Sequence, residues 1–97
     1  MLIITEQRLL EYAKQHSQAA SSLLRWGVLV KSGKWRSLAY TRRTFAHADS
    51  VGQCTVFNIK GNDYRLITRI DYGLQTVTLK PFLTHGEYDR GSWKKDC

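Results

Sequence analysis

The 97 residues predict an α+β domain in which an N-terminal pair of helices packs on one face of an antiparallel sheet. Three observations carry that expectation. Apolar residues in the first third recur at helical spacing. From residue 54 onward the pattern changes to runs rich in Val, Ile, Thr, Phe and Tyr. Short Gly-containing links of the kind that close hairpins separate those runs. A chain of this length forms one domain, residues 1–97, around one modest core.

Leu2 to Ile4 reads as a short strand. Thr5 is placed as an N-cap, and Glu6 suits the first turn of a helix. Leu9, Leu10, Ala13 and His16 follow at helical spacing. Ser17 reads as a second N-cap, after which Ala20, Leu23, Leu24, Gly27 and Val28 form one stripe for burial. Gly27 within the stripe permits close packing, and Gly33 is placed to end the helix. Residues 37–45 predict a short third helix, and 47–53 have loop character. Residues 54–60, 64–72 and 75–83 then predict three strands. Gly61-Asn62-Asp63 and Tyr72-Gly73-Leu74 join them into a meander.

Alternation sorts the strand residues by face. Thr55, Phe57 and Ile59 suit the helices, with Asn58 and Lys60 on the far side. Arg65, Ile67 and Arg69 oppose Tyr64, Leu66 and Ile70. Thr78, Lys80 and Phe82 oppose Val77, Leu79 and Leu83. The far face therefore collects Asn58, Lys60, Arg65, Arg69 and Lys80. A solvated sheet face is ordinarily polar, but it mixes charge signs. This one is cationic apart from Asp71, which suits phosphates.

The whole chain is basic, with a formal charge of +7 and a pI near 9.7. Nucleic acid is the leading partner class, ahead of an acidic protein or an anionic membrane surface. No acidic residue lies between Tyr12 and Ala48, a stretch that holds Arg25, Lys31, Lys34, Arg36, Arg42 and Arg43. Charge runs are commonly just solvated. Here the single sign favours RNA contact, with Arg36, Arg42 and Arg43 as binding candidates. Cys54 and Cys97 lack metal-type spacing, so two reduced thiols in a cytoplasmic protein are expected. Nothing approaches a membrane span, and Met1–Thr5 is too short for a signal peptide.

The last strand runs into "FLTHGEYDRGSW", residues 82–93. His85, Glu87, Tyr88, Asp89 and Arg90 cluster there. An imidazole is the side chain that exchanges protons most readily near neutrality, so His85 is the candidate acid or base. The bland alternative is a hydrogen-bonded structural histidine, and for Tyr88 a hydrophobic cover on the sheet edge. Tyr88 can stack on a base or donate a proton, and Lys and Arg can offset the charge of a phosphorane. His16 and His47 lack such company. Carboxylates are sparse and there is no Gly-rich phosphate loop, so no metal and no cofactor are expected. Cleavage of nucleic acid would then use the 2′-hydroxyl of RNA as nucleophile.

"VGQCTVFNIKGNDYRLITRIDYG" followed by "FLTHGEYDRGSW" resembles the HigB family of bacterial toxins, within the RelE-like group of mRNA interferases. The Val-Phe-Asn-Ile stretch, the Gly-Asn turn, the Tyr-Arg-Leu strand and the Thr-His-x-Glu-Tyr-Asp end occur in order. Trp26 and Trp35 in the first part are similar as well. The resemblance implies a compact RelE-like toxin that cuts mRNA, commonly on the translating ribosome and without metal. It also implies an antitoxin partner, usually a HigA-like helix-turn-helix DNA-binding protein. Carried over by position, Lys60, Arg65, His85 and Tyr88 are the catalytic candidates. Asn58, Asn62, Arg69, Lys80 and Asp89 join the RNA-binding candidates, and Glu87 falls within the terminal motif. Which group moves the proton stays open. The alternatives are a non-catalytic basic RNA-binding module and an inactive toxin-like interaction protein.

Overall fold

In a computed structural model describing residues 1–97, strand β1 (Leu2–Ile4) leads into helix α1 (Gln7–Gln15), and a 3₁₀ turn over Ser17–Ala19 opens α2 (Ala20–Ser32). Helix α3 (Leu38–Thr44) follows, then β2 (Asp49–Val51), β3 (Cys54–Ile59), β4 (Tyr64–Asp71) and β5 (Thr76–Thr84). Helix α4 (His85–Arg90) and a 3₁₀ turn over Ser92–Asp96 complete the chain. The expected meander β3-β4-β5 is the centre of a five-stranded sheet in the order β1-β5-β4-β3-β2. The sheet is mixed, because β1 pairs parallel to β5. Residues 49–51, expected as loop, form the other edge. A two-residue link with Gly52 at φ +57 folds this segment onto β3, so pairing supplies what its Asp-Ser-Val composition lacks.

Neither expected N-cap acts as one. Glu6 occupies the N-cap of α1, and no side-chain cap forms there or at Ser17. The buried stripe of α2 also differs. Ala19, Leu23, Trp26 and Val30 face the sheet, while Leu24 and Val28 stay exposed. Both sets have helical spacing. The one containing Trp26 wins because it buries the indole edge-on against Phe57, with ring centroids 5.3 Å apart. Gly27 does permit close packing: a Cβ there would lie 2.8 Å from Leu9 Cδ2.

Alternation in β5 breaks midway. Leu66 pairs with Phe82, but Thr68 pairs with Leu79, so Lys80 and Pro81 bulge opposite one residue of β4. Helix α1 satisfies the carbonyls at this irregularity. Arg8 Nη1 donates to Leu79 O at 3.1 Å, and Tyr12 Oη donates to Lys80 O at 2.8 Å. Burial raises the Tyr12 pKa, partly opposed by Arg8. Beyond the bulge the faces exchange. Phe82 joins the helix-side core, and Leu83 turns to the far side, the reverse of the expected assignment.

The far face is not a continuous cationic surface. Its centre is a second core of Cys54, Val56, Ile67 and Trp93, with Leu83 and Tyr88 against it. The C-terminal segment returns over the sheet to supply Trp93. A disulfide joins Cys54 to Cys97 across a Cα separation of 5.2 Å, correcting the expectation of two free thiols. The cysteines are 43 positions apart, so only this return reveals their proximity. No helix is long and apolar enough to cross a membrane.

Candidate functional site

The β3–β4 turn is tighter than the strand pattern suggests. Strand β3 stops at Ile59, and Lys60 lies in the turn at φ 54, followed by Gly61 at φ 63. Lys60 therefore leaves the strand face to which alternation assigned it. Its left-handed backbone costs an L-residue about 1 kcal/mol or more. Contacts within the turn hold it there. Asp63 N donates to Lys60 O at 3.2 Å, and Lys60 Nζ lies 3.8 Å from Asp63 Oδ2. Asn58 Nδ2 donates to Asn62 Oδ1 at 3.4 Å. Arg65 Nη1 donates to the carbonyls of Asn62 and Tyr64, both at 3.0 Å.

The end of β5 brings the second motif to this turn. Tyr64 pairs with Thr84, and His85 N donates to Asp63 O at 3.0 Å. Thr84 then opens α4 with a capping box. Its hydroxyl accepts from Glu87 N, and Glu87 Oε1 accepts from Thr84 N at 2.9 Å. One turn along, His85 Nδ1 lies 2.9 Å from Asp89 Oδ2, which leaves Nε2 for other work. The Arg65 guanidinium lies over the Tyr88 ring at 5.2 Å. The other face of Tyr88 stacks on Trp93 at 4.9 Å, and Trp93 Nε1 donates to Tyr88 O at 2.8 Å.

The two motifs, twenty residues apart, thus form one exposed cluster: Asn58, Lys60, Asn62 and Arg65 from the hairpin, and His85, Tyr88 and Asp89 from α4. The structure does not bring the remaining RNA-binding candidates into it. Arg69 lies four residues beyond Arg65, about 13 Å along the strand. Lys80 sits in the bulge. Arg42 holds the Ala48 carbonyl at 2.8 Å and faces Asp49, and Arg43 covers the Tyr40 ring. Arg36 lies with Met1 and Gln75 at the opposite end of the sheet. Within the acid-free stretch it is Arg25 that shares a cleft of about 320 Å³ with Asn58 and Lys60. Trp93 went unnoticed in the sequence because its partners come from three separate segments.

Glu87 is occupied in the cap, not free for proton transfer. The hydrogen bond from the Thr84 backbone holds its carboxyl below the usual range. A depressed folded pKa contributes stability above the unfolded value, and that contribution is lost as pH falls through the folded value. Amide exchange in α4 should therefore lose protection, relative to the central strands, as pH drops through and below the ordinary glutamate range. Glu87→Gln should remove this dependence. An α4 that loosens equally in both proteins would place the acid-sensitive group elsewhere.

The HigB toxin family, described as the RelE-like toxic component of a toxin–antitoxin system, matches residues 19–91. The chain is also similar to the mRNA interferase toxin HigB of Escherichia coli (strain K12). It resembles the mRNA interferase HigB of Escherichia coli O157:H7 and that of Shigella flexneri equally. Each is 25% identical over 92 residues, covering 92% of this chain and 88% of the relative. The family match takes in the whole hairpin and the whole of α4, and on that ground the chain belongs to the HigB family of RelE-like toxins, the toxic halves of toxin–antitoxin systems.

Proposed function

We infer that this chain is an mRNA interferase, an endoribonuclease that cuts messenger RNA at the cluster joining the β3–β4 turn to α4. The observation that carries this reading is the hydrogen bond from His85 N to Asp63 O. It fastens a histidine–carboxylate pair to a turn carrying Lys60 and Arg65. Asp89 accepts from His85 Nδ1 and leaves Nε2 to take the proton of the RNA 2′-hydroxyl. The deprotonated oxygen attacks the adjacent phosphorus, and Lys60 and Arg65 offset the charge on the phosphorane oxygens. Tyr88 gives a proton to the departing 5′-oxygen. Asn58 and Asn62 orient the nucleotide. The products are a cyclic 2′,3′-phosphate and a 5′-hydroxyl.

The whole of residues 1–97 acts as one toxin unit in the cytoplasm. Its substrate is mRNA engaged on the ribosome, and a HigA-like helix-turn-helix antitoxin restrains it. The test is inducible expression with and without the antitoxin, with mapping of the chemistry of mRNA 5′ ends. Internal 5′-hydroxyl ends should accumulate with growth arrest and disappear on co-expression. Growth arrest with intact mRNA would refute the reading.

The position of Arg25 beside Asn58 and Lys60 yields a separate expectation. Arg25→Gln should weaken RNA association and reduce its salt slope by up to about one unit, the share of one phosphate contact. Arg36→Gln, at the other end of the sheet, should leave the slope unchanged. Equal effects would mean that general charge, not the cleft, governs association.

A further inference from the structure

We propose that the C-terminal segment is a redox-sensitive clasp that positions Tyr88 and Arg65 through Trp93, so that the state of the Cys54–Cys97 bond sets the activity of the site. The consequence for cleavage rests on the ribonuclease reading above; the positioning does not.

The clasp has a built seat. Gln53 N donates to the backbone oxygen of Cys97 at 2.7 Å. Gly52 leaves room for that oxygen, because a Cβ there would lie 2.6 Å from it. Beside this contact, Cys54 is buried at the start of β3, while Cys97 is only half-buried. Between the seat and α4, Trp93 is buried among Cys54, Val56 and Ile67. Trp93 in turn carries Tyr88, by ring stacking and by its indole hydrogen bond to the Tyr88 carbonyl. Arg65 lies on the opposite face of the Tyr88 ring. An unbroken series of contacts thus leads from the disulfide to two candidate catalytic groups. Without the disulfide, a short segment beyond Gly91 is held by the burial of one indole and a few hydrogen bonds.

The exchange is chemically simple. A thiolate of a cellular dithiol attacks Cys97 Sγ, the more accessible sulfur, and the Sγ–Sγ bond breaks with Cys54 leaving as thiolate. The reductant's second thiolate releases Cys97 from the mixed disulfide. Two electrons pass to the protein, and Cys54 and Cys97 take up the two protons that the reductant lost. Disulfides in reducing compartments are typically transient and redox-sensing, which fits a device of this kind better than a permanent staple.

The experiment uses the unmutated chain, oxidised and after dithiothreitol, with hydrogen exchange and single-turnover RNA cleavage measured on both. Reduction should raise exchange in residues 84–97 at least about tenfold and leave β3 and β4 protected. Cleavage should slow by about tenfold or more at saturating RNA, with a smaller change in KM, because ordering of the site is lost and not RNA attraction. The Trp93→Phe variant, oxidised, should show an intermediate loss, since phenylalanine keeps the stack but not the indole hydrogen bond. Identical exchange in the two redox states would overturn the clasp. So would a reduced protein with loosened ends and unchanged single-turnover rate. A protein inert in both states would refute the ribonuclease reading, and the exchange comparison would still decide the positioning.

Discussion

Changing both Lys60 and Arg65 to alanine should abolish growth arrest and bring mRNA cleavage to background. A preorganised cation or donor at a developing oxyanion is typically worth about 10² to 10³ in rate, and two are removed here. Their value lies in being held in place. Lys60 is fixed by the left-handed turn, and Arg65 is bound to two carbonyls and the face of Tyr88. Arg65→Lys should restore only part of the activity. A lysine cannot hold two carbonyls, cover the ring and present a planar fork to phosphate together. Arg65 also ties the turn, so the circular dichroism and thermal unfolding of each variant must accompany the assay. A folded double variant that cuts mRNA at the unmodified rate would remove this cluster from the chemistry.

His85→Ala and Tyr88→Phe should each slow cleavage by roughly 10² to 10⁴-fold, the range for a lost proton-transfer group. Neither change removes much buried surface. His85 is about half exposed, and phenylalanine at position 88 keeps the stack on Trp93. Losses that appear in the rate at saturating RNA, with stability intact, would mark them as catalytic groups. Full toxicity of His85→Ala at equal expression would make His85 structural. The acid and base would then have to come from Lys60, Arg65 and Tyr88.

The parts of this fold that are legible in the sequence are those written locally. The Gly61-Asn62-Asp63 turn, the strands around it and the motif after β5 each occupy a few adjacent residues, and the hairpin register carries them together. What stayed hidden depends on partners distant in the chain. Strand β2 exists because β3 offers an edge to a segment with little strand propensity. The second core and the disulfide need the terminal residues to return across the sheet. On α2, Leu24 and Trp26 mark two faces at one spacing, and only the position of Phe57 chooses between them. The bulge did have a signal. Pro81 lies in a strand with neighbours on both sides, and an interior proline is found at irregularities of this kind.

That irregularity makes the chain unequally tolerant of changes in length. Removing one residue at Lys80-Pro81 would restore even alternation and turn everything downstream through half a rotation. Phe82 would leave the helices, Leu83 would enter their side, and α4 would depart toward the wrong surface, carrying Cys97 away from Cys54. Around Gly73 and Leu74, an added residue would only widen an exposed connection between β4 and β5. Relatives that gain or lose residues are therefore expected to do so there, while the spacing from Leu79 to His85 is kept as a fixed measure. In this sense two residues in a strand, neither of them part of the chemistry, act as the molecule's ruler.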